Sequence, residues 1–167
     1  MATSVRRRLG AAAILASAAL AVAGPAYAVP APLVLPAGLA CDFELRLDFS
    51  AEDQRDVKEF TDANGETVRV IKAGRGQAIT FTNVETDVSV SLKGNGAVEK
   101  TTITADGTRE VQSTGHNVLI LFPSDVPAGP STTLYVGRVT YTIGTDGVFT
   151  LTSSSGQTTD ICAALAP

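Results

Sequence analysis

His116 is the only histidine in the chain, so it is the one imidazole available as a general base near neutral pH. A Ser-His-Asp arrangement would have to be built on it. Its setting, Thr114-Gly115-His116-Asn117 ahead of an apolar run, is neither a strained nucleophile elbow nor close in sequence to a plausible serine. The plainer reading is a turn residue entering a central strand. Two cysteines, Cys41 and Cys162, and one histidine are too few for a zinc site built from soft ligands.

Carboxylates are the other route to chemistry. Glu52, Asp53 and Asp56 cluster together, and Asp62-Ala63-Asn64-Gly65-Glu66 has the oxygen-rich, glycine-containing look of part of a calcium loop. It lacks the twelve-residue ligand spacing with a terminal Glu, so a hairpin turn and a solvated face are expected instead. Glycoside hydrolysis needs two carboxylates facing each other across a cleft, and no such pair is marked in the sequence. With no tryptophan and nine Phe and Tyr, the chain is also short of the aromatic faces that carbohydrate platforms use. No cofactor motif is present. The stretch best suited to face a partner is the proline-rich loop Pro123-Ser124-Asp125-Val126-Pro127, continuing to Pro130. Prolines stiffen a loop and reduce the ordering cost of binding. A rigid inhibitory loop or a long connection between strands would both look like this.

The elements that must carry these residues are read from the N-terminus onward. Arg6-Arg7-Arg8, an alanine-rich apolar run from Leu9 to Gly24 and Ala26-Tyr27-Ala28 make a secretory signal with cleavage after Ala28. Gly24-Pro25 interrupts the run, which is too short to span a bilayer comfortably. Gly38-Leu39-Ala40-Cys41 lacks the large aliphatic residue of a lipoprotein attachment site. Losing residues 1–28 removes three of the 13 basic residues and none of the 17 acidic ones, leaving a net charge of about −7. An acidic exported domain without a basic stripe is a poor partner for nucleic acid. No membrane span is expected after the signal, and a single copy is expected.

Residues 29–40 read as a proline-rich lead-in and 41–167 as one β-domain. Phe43, Leu45, Leu47 and Phe49 alternate with Glu44, Arg46 and Asp48, the two-residue period of a half-buried strand opening at Cys41. Ser50 to Asp56 is a short helical candidate or a polar loop. Strands are then expected at Val57–Thr61, Thr67–Ala73, Ala78–Asn83 and Val88–Leu92, with Asn64-Gly65 supplying a tight turn and Gly74-Arg75-Gly76 breaking a strand. Thr101–Ala105 and Thr108–Gln112 form a hairpin across Asp106-Gly107. Asn117–Phe122 is apolar on both parities, as a central strand would be. A step of three between Val136 and Val139 predicts a bulge at Gly137-Arg138, or a change of sheet. Phe149 and Leu151 face inward, and Thr159–Cys162 closes the domain as a last strand. About ten short strands without a crossover helix mean an all-β fold, an antiparallel β-sandwich or a partly closed barrel.

An exported chain with two cysteines allows one internal bridge; two free thiols or a bridged dimer are the alternatives. Both cysteines lie at ends of predicted outer strands, which favours the internal bridge. It would close a span of 121 residues, for which chain entropy assigns roughly 4–5 kcal/mol. Phe43, Leu45 and Leu47 are then expected to share one core with Ile79, Phe81, Val90, Leu119, Tyr141 and Phe149.

Cys41-Asp42-Phe43, Thr82-Asn83-Val84, Asp106-Gly107-Thr108, Thr114-Gly115-His116-Asn117, Val136-Gly137-Arg138-Val139 and Asp160-Ile161-Cys162-Ala163-Ala164-Leu165 together resemble a group of small secreted β-rich proteins of actinobacteria. The arginine-led, alanine-rich signal is similar too. That group has no assigned activity, so the resemblance implies an address and a fold and carries over no catalytic residue. The reading is a secreted, non-catalytic binding or structural module outside the cell or at its envelope. The alternatives are a secreted hydrolase using carboxylates or His116, and a proteinase inhibitor acting through residues 123–130.

Overall fold

A computed structural model describes residues 30–50 and 53–167. The expected signal, Val29 and Glu52 lie outside the described residues. The described chain runs β1 (Leu33–Leu35), β2 (Leu45–Phe49), β3 (Gln54–Thr61), β4 (Thr67–Arg75), β5 (Ile79–Asn83), β6 (Ser89–Leu92), β7 (Gly96–Ile103), β8 (Arg109–Leu121), β9 (Ser131–Ile143), β10 (Phe149–Asp160) and α1 (Ile161–Leu165). It is the all-β architecture expected. A four-stranded sheet has the order β1-β2-β5-β6, and a six-stranded sheet has the order β10-β9-β8-β7-β4-β3. All neighbours are antiparallel, and neither sheet closes into a barrel.

The alternation in β2 works as read. Leu45 and Leu47 are buried, while Arg46 and Asp48 pair on the outer face at 2.7 Å. Ile79 and Phe81 likewise turn inward from β5, and Thr80 and Thr82 meet Ser91 and Ser89 of β6 outside, each hydroxyl pair at 2.9 Å. The Cys41–Cys162 bridge is present, with the Cα atoms 5.5 Å apart.

Several expectations change. The lead-in is partly structural: Leu33–Leu35, between Pro32 and Pro36, pairs with Leu45–Leu47, and Ala40 is fully buried. Three successive residues free of proline suffice for a short edge strand. Ser50 caps no helix; its N–H and hydroxyl both bond to Ala78, and Gln54 already begins β3. Asn64-Gly65 makes no two-residue turn. Asp62 instead spans five residues, its N–H bonding Glu66 and its carboxylate accepting Asn64 and Glu66 N–H at 2.8 and 3.0 Å, and only Gly65 takes positive φ there. The final segment is not a strand through Cys162. The Asp160 carboxylate accepts the Ala163 N–H at 2.9 Å and starts α1, so the disulfide joins a helix to the turn before β2 rather than two terminal strands.

The largest correction concerns the long strands. Thr108–Gln112 and Asn117–Phe122 are not separate: β8 runs unbroken through Thr114, Gly115 and His116. Gly74 sits inside β4 rather than ending it. At Gly137 there is neither a bulge nor a change of sheet, because pairing to both neighbours keeps its register. These glycines line up across the sheet, in the pairs Gly74↔Ala97, Ala97↔Gly115, Gly115↔Gly137 and Gly137↔Gly156. All four glycines have positive φ, from 101° to 147°. Along this row the whole sheet folds over. Arg109, Ile143 and Phe149 are aligned at one end of β8–β9–β10, and Leu121 pairs with Ser131 at the other. Thirteen extended residues span roughly 40 Å. Yet the one carboxylate of Asp125 accepts both the Phe122 N–H (2.6 Å) and the Phe149 N–H (3.0 Å). The two ends can meet only if the strands double back, and glycine is the residue that permits it.

Folding the sheet makes two hydrophobic clusters where one core was expected. The first gathers Ala40, Cys41, Leu45, Leu47, Phe81, Ile161 and Leu165, with Phe43, Ile79, Val90, Val118, Ile120 and Leu134 packed against it. The second, inside the fold, holds Val111, Leu119, Tyr135, Val139, Tyr141 and Ile143, with Phe149 and Leu151. Tyr141 and Phe149 stack at 5.2 Å there. Leu119, Tyr141 and Phe149 therefore do not share a core with Leu45. The ends of β8 and β9 are apolar on both parities because each of their faces meets a different cluster. That double burial is also what produced the apparent step of three in β9.

Candidate functional site

A cleft of about 550 Å³ opens where the small sheet meets the corner of the large one. Phe49, Ile79, Leu92, Val118 and Leu134 supply apolar wall, and Glu99, Ser113, His116, Asn117 and Tyr141 supply polar groups. Arg55, Gln77, Lys93 and Asn95 also line it. The size lies within the range of small-ligand sites, roughly 300–1,000 Å³. Each sheet contributes: β2, β5 and β6 from one, β3, β7, β8 and β9 from the other.

His116 lies within β8, immediately after Gly115, and is exposed rather than a turn residue. It makes no side-chain hydrogen bond among the described residues. Ser91, in the same cleft, is occupied by Thr80, and neither Ser91 nor Ser113 bonds the imidazole. A nucleophile and a base in contact, the minimum for acyl transfer, are not assembled. Glu99 is the one carboxylate lining the cleft, and it faces Lys72 at 3.7 Å. Burial pushes the Tyr141 phenol up to about 12, the Glu99 carboxylate adding to the rise while Ser113 and Arg109 oppose it.

Asn117 is the unusual member. Its Nδ2 is buried and has no hydrogen-bond partner. An unsatisfied buried donor costs about 1–3 kcal/mol, so an acceptor entering the cleft would gain by meeting it. Lys93 is exposed and has no carboxylate partner among the described residues, whereas the Arg55 guanidinium is held by Asp53 at 2.5 and 2.8 Å.

The other residues singled out in the sequence lie elsewhere. Asp53 pairs with Arg55, and its carboxyl is held below the usual range by that hydrogen bond. Asp62 is likewise held low, first by the Glu66 N–H and then by that of Asn64, so its oxygens serve the turn. Among the described residues no three His, Cys, Asp or Glu side chains gather as metal ligands. In the loop Pro123–Pro130, Asp125 is buried and ties the loop to β10. Val126 donates its N–H to Phe149 and accepts from Leu151 through its C=O, so its backbone is already paired, while Pro123, Ser124, Val126 and Pro127 keep exposed side chains. Lys93 carried no signal in the sequence, and Asn117 and Tyr141 were marked there only as strand and core residues, since only the fold brings their strands to one corner. Comparison of the chain with protein families, curated proteins and solved structures gives no match.

Proposed function

We propose that this protein is an exported, non-catalytic binding module whose ligand sits in the corner cleft and combines an apolar body with an oxygen acceptor, best a carboxylate. The observation that carries the reading is the buried, unpartnered Asn117 Nδ2 in a half-apolar cleft. Lys93 offers the matching positive charge at the same cleft. Export draws its support from the N-terminal sequence; the disulfide and the lack of a membrane-crossing helix among the described residues are compatible with it. An address outside the cell or at the envelope, as in the actinobacterial group, belongs to the same reading.

Titration of the ¹⁵N-labelled protein with decanoate and with decanol tests it. Decanoate should shift the amide signals of the cleft strands, and decanol should shift them more weakly. Asn117→Asp, which removes the donor and adds a negative charge, should weaken decanoate at least about tenfold. Failure of both probes to move any cleft signal would sink the reading.

A further inference from the structure

The two outer edges of the six-stranded sheet are built on opposite principles. On β3, Arg55, Asp56, Lys58 and Glu59 put charge along the edge, and Phe60 is covered by Lys58 and Arg69 at 5.2 and 5.6 Å. Such charge is how sheets prevent another strand from adding. β10 has none of it. From Thr152 to Thr159 it carries no charged residue and no proline, and every residue is exposed. Its first residues are covered by Val126, which bonds Phe149 and Leu151 and goes no further. Beyond that point, among the described residues, β10 pairs only with β9, so its outer backbone N–H and C=O groups are unmet on one whole side.

The bend restricts which strand could meet them. Where β9 and β10 cross the corner, a Cβ on Gly137 would lie 2.2 Å from the Ser155 carbonyl, and one on Gly156 would lie 2.3 Å from that of Val136. A strand laid on the outside of β10 must follow the same fold at Gly156, as Arg55 of β3 does opposite Gly74 at the far edge. A second β10 is already bent there. We propose that two copies of this chain pair antiparallel through β10, with Gly156 opposite Gly156 on the two-fold axis, departing from the single copy expected from the sequence. In that register Ser155 faces Gln157 of the other copy, Asp160 falls opposite Thr152, and no two charges meet. The other edge of the six-stranded sheet is the charged β3, so this sheet does not extend beyond the pair.

Sedimentation equilibrium of the purified protein reads this directly. The wild type should approach twice the monomer mass as concentration rises. Ser155→Lys with Gln157→Lys sets like charges against each other across the axis and should weaken the dimer about tenfold or more. Ser155→Lys with Gln157→Glu sets opposite charges there and should restore it. Unchanged melting of the dilute protein establishes that both variants remain folded. A wild type that stays monomeric wherever it is soluble overturns the proposal. A double-lysine variant that dimerises as well as wild type places the contact elsewhere, and failure of the charge-reversed pair to rescue overturns the register.

Discussion

Around the disulfide, all seven residues of the first cluster are at most 3% exposed; inside the folded sheet, five of the six in the second are 5–9% exposed. The difference follows from what closes each space. The first is covered by the small sheet, the ends of β8 and β9, the turn at Cys41 and α1, and its polar groups are answered internally. Thr132 donates to the Ala40 carbonyl at 3.0 Å, and the Asn83 amide caps the Leu165 carbonyl at 3.2 Å. The second is wrapped by one sheet bent along a row of glycines, and Leu119 and Tyr141 from it also line the cleft. Both clusters border the corner that holds the unsatisfied donor: Ile79, Val118 and Leu134, packed against the first, form part of its apolar wall.

The bend is where the comparison breaks most completely. Gly137→Val puts a Cβ against the Ser155 carbonyl at a φ of 147° and should cost about 4 kcal/mol or more, or prevent folding. Urea unfolding measures it, and a loss below about 1 kcal/mol would mean the strands do not need glycine to turn. Next comes the staple. Cys41→Ser should lower stability by about 2–5 kcal/mol. Alkylation of the unreduced native protein should find no free thiol, and two reactive thiols would remove the closure that distinguishes the first cluster.

A matched pair of truncations sharpens the contrast. Leu45→Ala, at 0% exposure, should cost about 3 kcal/mol, and Leu119→Ala, at 8% beside the cleft, nearer 2 kcal/mol. Equal costs would mean the two clusters are equally closed. The smallest effect is set by pH. The Tyr141 phenol, raised to about 12 by burial, keeps its proton in the folded state after the unfolded chain has lost it near 10. Its contribution is therefore full below about pH 10 and fades as pH climbs towards 12, by roughly 2 kcal/mol. Tyr141→Phe should show a correspondingly shallower alkaline loss of stability than wild type.

Strand content, the inward faces of β2 and β5, the double-sided burial of Val118 to Leu121 and the pairing of the two cysteines were all legible in the residues. Each rests on local alternation or on counting, which survive without knowledge of the fold. The same logic misled at the glycines. Gly74, Gly115 and Gly137 read as breaks, because in one dimension a strand that ends and a strand that turns a corner leave the same mark. The helix at Ile161–Leu165 had a readable signal in the Asp160 cap, but five residues sustain no helical period. The cleft left no trace, since its walls come from seven strands.

By itself the sequence determined an all-β chain, where its side chains alternate and which two sulfurs could join, because the period of two and the cysteine count are properties of the chain alone. Only the tertiary structure decided that four glycines on four different strands fall in register, that the sheet folds there into two clusters, and that Asn117 is left facing a cleft. Register is a relation between strands, and a glycine's freedom at one position becomes a corner only when its neighbours across the sheet bend at the same place.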